Sequence, residues 1–137
     1  MPLLKLEITK NSPYAQGIDF GDTGPYQALK GTAHFGVDPG AISNANITDI
    51  GLAPTGPDGL VNFSSHFEML QPVDPDRGNR RIMFDVCNRG NKTVFNNFNS
   101  AGPVDDPSAP LVPGNGFLLR HGYTVVWCGW QADVPES

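Results

Sequence analysis

The chain has 137 residues and a net charge of −5 with no basic cluster, so it has the length of one domain and nothing that draws it to nucleic acid or to an anionic membrane. Its 16 glycines and 13 prolines stand between clusters of aromatic and β-branched residues, which favours strands and loops over long helices. Residues 1–7 lack the continuous apolar core of a signal peptide and no run is long enough for a membrane-spanning helix, so the cytoplasm is the default compartment.

In chain order, Leu4, Leu6 and Ile8 alternate with Lys5 and Glu7, the period-two pattern of a half-buried strand that Asn11-Ser12-Pro13 ends. Residues 14–25 are rich in Gly, Asp and Pro and read as a loop. Alternation returns over residues 26–37, with Leu29, Ala33, Phe35 and Val37 on one face and Lys30, Thr32 and His34 on the other. Residues 47–50 read as a short edge strand. Residues 60–70 give the cleanest alternation, Val61, Phe63, Phe67 and Met69 against Asn62, Ser64, His66 and Glu68, as in an antiparallel strand with one wet face. The turn region 72–79 then delivers the chain to the next strand, which makes residues 60–88 a hairpin.

Residues 82–87, Ile-Met-Phe-Asp-Val-Cys, form a nearly unbroken apolar run, as in a strand covered on both faces. It breaks into Asn88-Arg89-Gly90-Asn91, residue types that tolerate a tight loop whose backbone N–H groups point together into a concave site. Residues 93–113, with four prolines, read as a long loop. Asn115 caps a short helix over residues 116–121 that Gly122 terminates, and residues 124–130 form a second buried strand. Strand, helix and strand predict a right-handed parallel unit over residues 80–137, preceded by an antiparallel β-rich part over residues 1–79.

Four phrases occur in order: Asp49-Ile50-Gly51-Leu52-Ala53-Pro54, Cys87-Asn88-Arg89-Gly90-Asn91-Lys92, Gly114-Asn115-Gly116-Phe117-Leu118-Leu119, and Gly122-Tyr123-Thr124-Val125-Val126-Trp127 continuing through Gly129-Trp130-Gln131-Ala132-Asp133-Val134. With them the chain resembles the N-terminal part of a family of bacterial α/β-hydrolase-domain proteins, mostly without assigned substrates. The resemblance runs from about Tyr26 onward. It implies an α/β class, as a partial α/β-hydrolase fold: a β-rich mixed sheet with one short crossover helix, forming a single incomplete domain over residues 1–137. It also implies hydrolysis of a small-molecule ester by the complete protein.

Hydrolases of that fold carry their nucleophile on a Gly-x-Ser-x-Gly turn. No such turn occurs in this sequence. By resemblance, an amide of Arg89, Gly90 or Asn91 supplies one donor of an oxyanion hole; the reading from the residues alone is a loop that only turns the chain at a strand end. Trp130 and Gln131 follow the second buried strand at its C-terminal end, where ligands collect in such sheets, and line the substrate pocket or, for Trp130, pack in the core. Asp85 within an apolar run requires a partner or a hydrogen bond, and Arg89 reads as its ion-pair partner or as a partner for a substrate carboxylate.

Cys87 and Cys128 read as free, buried, small hydrophobes, and His34, His66 and His121 have no metal-ligand spacing, so no metal or cofactor is expected. The first strand of the parallel unit is expected to leave an unpaired apolar edge, and hence self-association or pairing with a complementing chain. The alternative reading is a complete non-catalytic β-rich module that binds a partner through the long loop 93–113.

Overall fold

The computed structural model describes residues 3–87, 90–102 and 109–130. Five strands form one sheet: β1 (Leu3–Pro13), β2 (Tyr26–Val37), β3 (Val61–Pro72), β4 (Ile82–Asp85) and β5 (Thr124–Cys128). Two short helices, α1 (Val94–Asn99) and α2 (Phe117–Arg120), lie in the connection from β4 to β5. The sheet order is β1-β2-β3-β5-β4. β1, β2, β3 and β5 pair antiparallel in succession. β4 and β5 run parallel, with Met83 opposite Val125 and Phe84 opposite Val126.

The α/β class and the partial α/β-hydrolase fold implied by the resemblance are corrected by this architecture. The described chain is a β-rich mixed sheet with only two short helices, where one crossover helix was expected, and it lacks a helix-rich α/β arrangement. The expected hairpin over residues 60–88 is also corrected, because β3 pairs with β5 and not with β4. Packing explains the choice. Val125 and Trp127 are almost fully buried, and they gain that burial by taking a place between two strands, which leaves the four-residue β4 at the edge. The edge strand expected at residues 47–50 is absent: turns and single-turn helices Ile42–Asn44 and Ile50–Leu52 fill that connection.

Residues paired across the ladders share a face, so Tyr26, Leu70, Met83, Asp85, Val125 and Trp127 mark one side of the sheet. That side carries the core. Val94 and Phe95 of α1 and Leu118 and Leu119 of α2 cover it, and the segment after β1 folds back to add Tyr14 and Phe20. Phe95 meets the Trp127 ring edge to face at 5.7 Å. The Tyr26 hydroxyl lies 3.0 Å from the carbonyl oxygens of both Leu119 and Tyr123, tying α2 and the start of β5 to β2. Burial pushes the Tyr14 and Tyr26 phenols above their ordinary range.

Among the described residues nothing covers the opposite side over its β4 end. Ile82, Phe84 and Val86 are exposed, contrary to the expectation that this strand is covered on both faces. The cause is geometric: both helices pack on the side of Met83 and Asp85, and alternation sends Ile82 and Phe84 the other way. At the far edge β1 is exposed along nearly its whole length, with register shifts between Leu3 and Lys5 and between Ile8 and Lys10. Gly31 is required beside the second shift, since a Cβ there would run into the Glu7 carbonyl oxygen. Among the described residues no helix is long and apolar enough to cross a membrane.

Candidate functional site

The expected donor loop leaves the C-terminal end of β4. Its base is organised by Asp85, a buried carboxylate at the last position of that strand. Asp85 Oδ2 accepts the backbone N–H of Thr93 at 2.9 Å, that of Val94 at 3.0 Å and the indole N–H of Trp127 at 2.8 Å. Its Oδ1 accepts the Thr93 hydroxyl at 3.2 Å. A carboxylate in this position satisfies the orphan N–H groups at the start of α1 and sits at the positive end of its dipole. Thus the charge that looked costly inside an apolar run ties the end of β4 to the start of α1 and to β5.

Two further contacts fix the same loop. The Trp130 indole N–H donates to the Cys87 carbonyl oxygen at 2.6 Å, which joins the strand ends of β4 and β5. Lys92, largely buried, pairs with Glu68 at 2.7 Å, and its ammonium lies 5.5 Å from the centre of the Trp127 ring. Glu68 also pairs with Lys30 at 3.0 Å. Burial raises the Glu68 carboxyl, but the ammonium groups of Lys92 and Lys30 outweigh it and hold the carboxyl below its ordinary value.

Of the residues singled out in the sequence, Gly90 and Asn91 lie within this loop, and Gly90 has φ +87°, a conformation open to glycine and strained for other residues. Arg89 and Gln131 lie outside the described residues. Trp130 is not in the core: its ring is exposed, and its N–H is spent on Cys87. The pairing of Asp85 with Arg89 falls on an undescribed side chain, while the described partners of Asp85 are Thr93, Val94 and Trp127. Cys87 is buried and free, and Cys128 is half-buried and free.

Sequence reasoning missed Thr93, Lys92 and Glu68. A signal for the first existed: an Asp within an apolar run demands buried donors, and the nearest unsatisfied N–H groups are those of a helix start. Lys92, in the connection before α1, and Glu68, on β3, are far apart in sequence and carried no such sign. Chemically, the described site offers backbone braced by Asp85 and Trp130 beside a largely buried cation. Among the described residues no group of three His, Cys, Asp or Glu side chains is placed to hold a metal. Hollows lie elsewhere among the described residues, two of them against α2 beside Asn115 and His121 and at the N-terminal end of β4 beside Arg81 and Met83. Comparison with protein-family models, with curated proteins and with solved structures finds no match to this chain.

Proposed function

We propose that this chain supplies the sheet scaffold and the backbone donors of an ester-hydrolysing site, and that the nucleophile, its acid and its base are residues outside this sequence. Its substrate is a small-molecule ester, and an amide of Arg89, Gly90 or Asn91 is the donor. The observation that carries the reading is the Asp85 cluster. Oxyanion donors are effective when they are held in place before charge develops, so that none of the stabilisation is lost to reorganisation. The bonds of Thr93, Val94 and Trp127 to one buried carboxylate, and of Trp130 to Cys87, fix the chain on either side of residues 88–89 and support the reading.

The test is turnover of a nitrophenyl ester by the protein expressed from its own gene, compared with the 137-residue chain and with a Gly90→Val variant. The 137-residue chain is expected to be inactive. Gly90→Val forces the loop out of its conformation and is expected to lower kcat by about 100- to 1000-fold, the effect of losing one oxyanion donor. Unchanged kcat in the folded variant rejects the role.

A second reading, a non-catalytic β-rich module that binds a partner, is favoured by the apolar side chains of β4 that the described chain leaves uncovered. Activity of the complete protein toward esters separates the two.

A further inference from the structure

The two edges of the sheet differ in kind. β1 carries Lys5, Glu7 and Lys10 and breaks register twice, the devices by which edge strands resist pairing with another chain. β4 has no such break: Ile82, Met83 and Phe84 run in register with β5, without proline or bulge, and its one charge, Asp85, is buried on the helical side. The Thr124 N–H donates to the Arg81 carbonyl at 3.0 Å. In a parallel ladder this turns the backbone groups of Arg81, Met83 and Asp85 toward β5, and those of Ile82 and Phe84 away from the sheet.

The side chains around that edge are apolar on both faces. Ile82, Phe84 and Val86 stand on the bare face, 67%, 52% and 62% exposed; Phe98 and Phe117 stand on the helical face beside Met83, 47% and 46% exposed. Together these five leave about 500 Å² of apolar surface open, against roughly 800 Å² per partner in a standard interface. An occupant must offer backbone groups to the edge and apolar side chains to both faces. An amphipathic helix offers neither the bonds nor the second face. The segment around β4 offers all three, with Ile82, Phe84 and Val86 on one face and Met83 beside Phe98 and Phe117 on the other.

We propose that β4 pairs with β4 of a second copy of this chain, antiparallel about a two-fold axis at Phe84, joining two five-stranded sheets into one. In that register Phe84 exchanges both backbone bonds with the partner's Phe84, and Ile82 exchanges its own with the partner's Val86. These are the outward-facing groups, and the same patch serves both copies, as a closed two-fold contact demands. The pairing goes beyond the catalytic reading and stands whether or not the loop 86–92 has a chemical role.

Light scattering on the eluting 137-residue chain reads the outcome. The unmodified chain is expected at twice the 14.7 kDa of one copy, and Phe84→Lys, which places a charge on the axis without entering the core, at the mass of one copy with unchanged circular dichroism. Ile82→Pro removes an outward N–H and no bond to β5, and is expected to give the same result. If Phe84→Lys loses its native spectrum, amide exchange on the unmodified chain decides: protection of Ile82 and Phe84 that grows with protein concentration supports the pairing. A single-copy mass at high micromolar concentration overturns it, as do a dimer that persists in both folded variants and open-ended growth.

Discussion

The indole N–H of Trp127 on β5 donates to Oδ2 of Asp85 on β4 across 2.8 Å, in a register where the two residues are direct neighbours in the parallel ladder. The same oxygen receives the first N–H groups of α1. One carboxylate therefore joins two strands and a helix, and the loop of interest is what lies between its partners.

Removing that carboxylate strands several buried donors at once. Asp85→Ala is expected to cost about 3–5 kcal/mol in urea unfolding, the range for deleting one member of a buried charged network. Trp127→Phe removes one donor and leaves the others, and is expected to cost about 2 kcal/mol. Because Asp85 and Trp127 share a bond, the double variant is expected to cost less than the two singles together. Strict additivity would mean that the bond contributes nothing.

The Glu68 carboxyl gives a pH dependence with a definite sign. Its folded value lies below the ordinary 4.5, so the unfolded chain binds more protons in the window beneath 4.5. Stability from the Lys92 and Lys30 pairs is thus full above pH 4.5 and is lost as pH falls through the folded value. Glu68→Gln is expected to unfold more easily at pH 7 by about 1 kcal/mol, since solvent at the rim screens the pairs. The gap should close in acid. A gap that stays constant below pH 4 would assign the effect to packing.

The two thiols are expected to react unequally. Burial, and after it the negative charge of Asp85, pushes the Cys87 thiol above its ordinary 9.0, and the side chain is buried. Cys128 is half-buried. With a chromogenic disulfide reagent at neutral pH, Cys128 is expected to react in the native chain and Cys87 only on unfolding. Equal rates would place Cys87 at the surface.

Much of the sheet was legible from side-chain period. The pattern of residues 26–37 marks β2 and that of residues 60–70 marks most of β3 as strands, but not the covered face: Leu70, on the side read as polar, joins the core, while Phe63 is exposed. Asn115 was also readable: its Oδ1 accepts the Phe117 N–H at 2.9 Å, at the start of α2.

The misses follow from contacts that no local pattern encodes. α1, Val-Phe-Asn-Asn-Phe-Asn, consists of weak helix formers and read as loop; its start is stabilised by Asp85, eight residues back on another element. Strand order was hidden for a related reason. Two apolar runs, around Met83 and around Val126, look alike in sequence, and only the burial of Val125 and Trp127 decides which becomes central. The helical expectation behind the α/β class assumed cover on both faces of β4, whereas both described helices pack on one.

Of the candidate site, Gly90 was legible because its residue type announces its backbone, and Asp85 was noticed for its burial, though its described partners Thr93, Val94 and Trp127 were not foreseen. Lys92 was invisible, since its anchor, Glu68, lies on β3.

Hydrogen exchange at the Thr93 and Val94 amides and the Trp127 indole, followed by NMR, tests most directly whether Asp85 holds the loop closed. All three are expected to exchange only through global unfolding in the unmodified chain, and to exchange rapidly in Asp85→Asn while amides of β2 and β3 keep their protection. Rapid exchange of these three protons in the unmodified chain would contradict a loop fixed at its base.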